Sequence, residues 1–159
     1  MRTVGMRTVA ALVLAALAFS ASAADPRAAI GKTLDEWHHA AAVADEARYF
    51  AATSPDFVFL GTDASERWDR AAFRAFAHPY FAKGKAWTFT PHDRHVMLAP
   101  SGDVAWFDEK LDSASYGDCR GSGVVRRING AWKIAHYNLT IPIPNDLAKT
   151  VVAMIREKK

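Results

Sequence analysis

Ile30, Leu34, Trp37, Ala41, Ala44 and Ala51 recur at helical spacing behind Asp25-Pro26, predicting an amphipathic helix that ends before Ser54-Pro55. Asp is a good N-cap, and Pro suits the first helical position, where the N–H has no partner within the helix. Asp56 to Gly61 follows as a short buried strand carrying Phe57-Val-Phe-Leu60. After a polar stretch from Asp63, Asp69 can cap a second helix that carries Phe73, Phe76 and Ala77 and stops near Pro79. Ala86 to Leu98 and Val104 to Leu111 read as strands. Two further β-prone arms flank Asn129-Gly130, a strong hairpin signal because a type I′ turn needs positive φ at both central residues. Pro142 and Pro144 close the sheet. Asn145 can cap a last helix with Leu147, Val151, Met154 and Ile155 on one face. With no repeat and no linker, the pattern predicts one α+β domain: helices on one face of a curved antiparallel sheet.

The first residues follow a different logic. Arg2 and Arg7 precede an apolar run from Val9 to Phe19, and Ala21-Ser22-Ala23 is a small-x-small site. This is the pattern of a secretory signal peptide over residues 1–23, cleaved before Ala24. The run is too short for a hydrocarbon core that needs about 20 residues, so no membrane anchor is expected. The expected location is periplasmic or secreted, and residues 24–159 form the expected domain. Met6 leaves the start residue open. The full chain has 20 basic and 17 acidic residues and a net charge of +3; without Arg2 and Arg7 the charge is +1. Scattered, nearly balanced charge makes no case for nucleic acid or a membrane surface. Cys119 is the single cysteine, so no internal disulfide can form and stability must come from the core.

Several segments together resemble one family. They are Leu34-Asp-Glu-Trp-His-His-Ala-Ala in the first helix, Gly61-Thr-Asp after the strand, Glu66-Arg-Trp, Pro79-Tyr-Phe, Ala105-Trp-Phe-Asp-Glu, Arg120-Gly-Ser-Gly-Val and Gly130-Ala-Trp-Lys-Ile. In this order they resemble the SnoaL-like branch of the nuclear-transport-factor-2-like superfamily, over roughly Leu34 to Asn145. The resemblance implies a cone: a curved sheet wrapped around a long helix, with a pocket at the open end and a tendency to form homodimers. It does not imply one activity, because this fold hosts isomerases, cyclases, dehydratases and non-catalytic binding domains.

A two-residue turn at Asn129-Gly130 sets Trp132 opposite Arg127, Ile134 opposite Val125, His136 opposite Gly123 and Asn138 opposite Gly121. The like charges of Lys133 and Arg126 place the other face in water, making His136 and Asn138 pocket candidates. A β-bulge would swap the faces and bring Tyr137 and Arg120 inward. Asp108 and Glu109 are adjacent on a strand, so at most one points into the cone. Asp108 shares its face with Trp106. A carboxylate buried beside aromatic rings could act as a general acid or base together with His136. The plainer reading is an ion pair with Arg94, Arg120 or Arg126. Glu66-Arg67-Trp68 and Tyr80 are candidates for the mouth of the cone, where aromatic faces would sandwich an apolar ligand.

In ketosteroid isomerase, a member of the superfamily, the base is a carboxylate on the strand after the helical pair. Leu60 and Gly61 stand near that position here, so that mechanism does not transfer. On the first helix His38 or His39 could supply an inward polar group, but neighbours on a helix diverge by about 100°, so only one can. His92 and His95 point to opposite faces of a strand and are poor metal partners. No metal and no cofactor is expected. Binding of a small, partly apolar molecule in the cone ranks first. An acid–base enzyme of isomerase or dehydratase type is the alternative, and a dimeric protein-interaction module is the third.

Overall fold

The computed structural model describes residues 25–158; the expected signal peptide lies outside them. Helix α1 spans Pro26–Ala42, with Pro26 in its first turn and the Asp25 side chain accepting from the Arg27 N–H. The single helix expected up to Ser54 is instead two. Ala44 takes a left-handed backbone with φ of 56°, which ends α1, and the Asp45 side chain caps α2, Glu46–Ala51, by accepting from the Arg48 N–H. Strand β1 is Thr53–Leu60 and a short β2 is Arg67–Asp69. Helix α3, Arg70–Ala82, is capped by the Asp69 side chain and runs through Pro79 rather than stopping there. The ring deprives the Ala75 carbonyl of its helical donor, a cost that exposure of that turn to water moderates.

Strands β3, Thr90–Leu98, β4, Val104–Ser113, β5, Gly117–Ile128, and β6, Ala131–Thr140, complete a sheet in the order β2-β1-β6-β5-β4-β3. All neighbours are antiparallel except β1 and β6, which run parallel. Residues 86–89, expected as strand, form an irregular approach to β3. The last helix, α4, spans Ala148–Glu157; Asn145 does not cap it, and no side chain does. The sheet curves without closing, and α1, α2 and α3 pack on its concave face, an α+β arrangement. Among the described residues no helix is long and apolar enough to cross a membrane.

The core lies between α1 and the inner sheet face. Ile30, Leu34, Trp37, His38 and Ala41 form one buried stripe of α1. They meet Phe57, Phe59, Ala105, Phe107, Val125, Ile134 and Tyr137 from the strands. Phe59 lies flat on Phe73 of α3, with ring centres 4.1 Å apart and planes 7° apart.

Register shifts occur in β1, β3 and β6, and the bulges in β6 and β3 shape the site. In β6 the pairing passes from Val125–Ile134 to Val124–His136, leaving Ala135 as the extra residue. Trp132 and Ile134 are inside as the turn register predicts, but beyond the bulge Tyr137 points in and His136 does not. In β3 the pairing passes from His92–Lys110 to His95–Asp108, so Asp93 and Arg94 together oppose Glu109. Asp93, with φ of 47°, turns outward to pair with Lys110 at 2.7 Å. Arg94 is thereby free to turn inward.

The hairpin turn has φ of 50° at Asn129 and 82° at Gly130. Gly130→Ala forces a β-carbon into the left-handed region and is expected to cost about 1–2 kcal/mol. Urea unfolding should show a lower midpoint with an unchanged slope.

Candidate functional site

Glu109 is the organising residue. Strand alternation on β4 puts Ala105, Phe107, Glu109 and Leu111 inside, and Trp106, Asp108 and Lys110 outside. Glu109 is 1% exposed, so its carboxylate needs donors from the protein. Three elements supply them. His38 Nε2 of α1 and the Tyr137 hydroxyl of β6 approach Oε1 at 2.7 and 2.9 Å. Arg94 Nε of β3 donates to Oε2 at 2.7 Å. Arg94 also donates to the Gly31 carbonyl at 3.1 Å and pairs with Asp35 at 2.8 Å, which fastens β3 to α1.

Burial pushes the Glu109 carboxyl up, but His38 and Arg94 together pull harder the other way, and the group lies below its ordinary value of 4.5. Glu109 is therefore an ionised acceptor at neutral pH, not a proton donor. Burial, and then the carboxylate beside it, raise the Tyr137 phenol well above its ordinary value, so its proton stays on the hydroxyl.

Above this cluster opens a cavity of about 450 Å³. Its floor includes Trp37, His38 and Tyr137. One wall is Phe73, Phe76 and Tyr80 from α3 with Phe59 and Trp68 from the sheet; the other is Lys85 to Phe89 and the turn at Ser113 to Tyr116. Trp68 stacks on Phe76 with ring centres 4.7 Å apart. Glu109 and Arg94 do not line the cavity; the histidine and tyrosine stand between them and the opening. This size and an apolar lining broken by a few polar groups suit a small organic molecule.

Among the residues singled out from sequence, Glu66, Trp68, Tyr80 and Tyr137 line this cavity, and Glu109 lies directly beneath it. The remaining candidates need correction. Asp108 and Trp106 are on the outer face, where Asp108 lies 3.4 Å from His95 and Trp106 is exposed. His136 and Asn138 do not line the cavity, because the extra residue at Ala135 shifts the alternation. Burial, with Arg67 nearby, lowers the His136 pKa. Arg120 also stays outside: the bulge is in β6 alone, and β5 keeps Cys119, Gly121, Gly123 and Val125 inward. Of the two helical histidines it is His38 that faces in and His39 that faces water. Reasoning from sequence left out Phe76, Trp87 and Tyr116. Phe76 carried the signal of helical spacing from Phe73 and Tyr80; the other two sit in irregular chain, which carries no period. Among the described residues no group of His, Cys, Asp and Glu has the arrangement of a metal site.

A model of the SnoaL-like domain matches residues 30–144. No curated protein matches the chain. Solved structures share the fold. An NTF2-like protein of unknown function from Pseudomonas putida KT2440 is 18% identical, with a TM-score of 0.63 over 76% of this chain and 89% of that one. A candidate dehydratase of the NTF2-like family from Streptomyces avermitilis is 14% identical, with a TM-score of 0.63 over 74% of this chain and 96% of that one. A candidate aromatic ring hydroxylase from Novosphingobium aromaticivorans is 22% identical, with a TM-score of 0.62 over 74% and 90%.

Two outcomes follow from the carboxylate cluster. A β-carbon at Gly121 would overlap the Tyr137 hydroxyl and come within 3.1 Å of Glu109 Oε1. Gly121→Ala should therefore displace Tyr137 and cost about 1–3 kcal/mol in urea unfolding. Because the folded pKa of Glu109 is depressed, its stabilisation is complete above 4.5 and is lost as pH falls through the lower folded value. Glu109→Gln leaves Arg94 short of a counter-charge and should lower stability at neutral pH by roughly 3–5 kcal/mol. The difference between wild type and variant should shrink when unfolding is repeated at successively lower pH below about 5.

Proposed function

We infer that this chain, which belongs to the SnoaL-like domain family through residues 30–144, binds a small, partly apolar, ring-bearing molecule in the cone cavity. The observation that carries this reading is the cavity of about 450 Å³, with aromatic walls and a polar floor at His38 and Tyr137. Flat rings gain from face and edge contacts with such walls, and each well-placed pair adds about 0.5–1.5 kcal/mol beyond area burial. The one carboxylate of the buried cluster is already held by three donors, so it does not compete for the ligand.

The domain is the part of the chain from Ala24 onward, exported to the periplasm or beyond after removal of residues 1–23, and it works as a homodimer. The N-terminal pattern of Arg2, Arg7, the apolar run to Phe19 and Ala21-Ser22-Ala23 supports export. The family resemblance, which implies a tendency to form homodimers, supports pairing of two copies.

Native mass spectrometry of the gently purified mature protein tests all three points. The expected spectrum is a dimer whose subunits begin at Ala24 and release a discrete small molecule on denaturation. Bare protein that also fails to bind 8-anilinonaphthalene-1-sulfonate would overturn the binding reading. Trp68→Ala, which removes one aromatic wall, should weaken binding of that fluorescent probe by about tenfold, equivalent to 1.4 kcal/mol. A fluorescence titration reads this directly.

A further inference from the structure

We propose that α4 is a lid of the cone: its apolar face docks on the cavity mouth of the same chain and closes it over a bound molecule. This rests on the ligand reading above and adds what retains the ligand. Leu147, Val151, Met154 and Ile155 recur at helical spacing and form one apolar face, with Lys149, Arg156 and Glu157 on the other side. The helix nevertheless buries none of its residues, and no side chain caps its start. A helix of ten residues is too short to be stable in water by itself and draws its stability from packing an apolar face. α4 therefore needs a surface to pack on.

The exposed apolar side chains show which surface that is. Among the described residues, the large ones are concentrated in two places. One is the C-terminal segment, where Ile141 and Ile143 of the connection join Leu147, Val152, Met154 and Ile155. The other is the cavity rim, where Phe76 and Tyr80 of α3 and Tyr116 of the β4–β5 turn stand exposed. The outer sheet face offers Trp106 with the charged Asp108 and Lys110 beside it on β4, a poor seat for an apolar helix.

The chain delivers α4 to the rim. Leu139, next to the end of β6, lines the cavity, and seven residues, Ile141 to Leu147, lead from β6 to α4. Fully extended, they reach about 25 Å. The helix itself is about 15 Å long. Pro142 and Pro144 stiffen the connection. So short a tether holds α4 near its own cavity at an effective concentration of about millimolar, which a second copy must match by its own abundance. Docking covers Phe76, Tyr80 and Tyr116 and leaves Lys149 and Arg156 in water. A ligand then touches apolar side chains on its open side as well, and that added contact is what favours the closed arrangement when the cavity is filled. Escape requires α4 to lift, so the lid acts on the dissociation rate.

Stopped-flow dissociation of 8-anilinonaphthalene-1-sulfonate reads this directly, the cavity-bound phase being the one that Trp68→Ala weakens. Leu147→Ser combined with Ile155→Ser should speed that phase by about tenfold. Lys149→Gln combined with Arg156→Gln, on the polar side, should match wild type. Nitroxide labels at Ala153→Cys on α4 and Lys83→Cys after α3, with buried Cys119 left in place, should move closer together when the probe is added. Wild type that binds the probe but releases it as fast as the apolar-face variant overturns the lid and leaves the ligand reading standing. Failure of wild type to bind the probe overturns both. Faster release that accompanies conversion of a dimer to a monomer in native mass spectrometry assigns α4 to the neighbouring copy and overturns docking within one chain. Should the apolar-face variant not fold, the labels decide: a separation that the probe leaves unchanged overturns the proposal.

Discussion

A carboxylate almost sealed from water sets the terms for the rest of this fold. Glu109 is ionised inside the cone, and each of its donors comes from a different element: His38 from α1, Arg94 from β3, Tyr137 from β6. A charge in that position is tolerable only when its hydrogen bonds are complete, and completing them fixes how far α1 slides along the sheet. Arg94 tightens the same constraint by reaching Asp35 and Gly31, about one and two turns before His38 on the helix. Replacing such a cluster with apolar side chains of equal volume can leave a protein as stable or more so. We therefore read its value as fixing one arrangement of helix and sheet, a hypothesis that double-mutant cycles between His38, Arg94 and Glu109 can check.

The cavity is a consequence of that arrangement. With α1 held against β3, β4 and β6, α3 and the irregular chain before β3 enclose a space over the cluster instead of filling it. The side chains that border it are large and flat, and they brace one another: Trp37 packs on Tyr137 at 4.6 Å, Phe59 on Phe73, and Trp68 on Phe76. Rings supported from behind keep a cavity open, because collapse would require several of them to leave their contacts together. The result is a chamber with aromatic walls, polar groups at its rim including Glu66 and Lys85, and a floor at His38 and Tyr137 that is backed by a fixed negative charge.

The two bulges show how a local irregularity becomes a functional feature. Without Ala135 as an extra residue, β6 would carry Trp132, Ile134 and His136 on its inner side; with it, Tyr137 takes the inner place beside Glu109. Without the paired Asp93 and Arg94, one residue of β3 would oppose Glu109, and its side chain could not face both Lys110 and the carboxylate. Each bulge sends one hydrogen-bond donor to the same acceptor. Gly121, opposite Leu139 on the neighbouring strand, leaves the space that the Tyr137 hydroxyl occupies.

Much of this was legible in the residues. The Asp25-Pro26 start, the Asp69 cap and the Asn129-Gly130 turn act through bonds within a few residues, so the sequence specifies them directly. Strand alternation alone determined that Asp108 and Glu109 must part, and helical geometry alone determined that only one of His38 and His39 could face inward. Which member of each pair goes in was decided only by tertiary structure. That choice depends on which face of β4 meets α1, and on donors brought from residues 71 and 15 positions away in the chain. The inward turn of Tyr137 in place of His136 has the same origin. A bulge leaves little mark on the strand that carries it; it is stabilised by what the partner strand and the opposing helix present. The sequence therefore determined the elements and the candidate groups, while long-range packing determined which of those groups share one cavity.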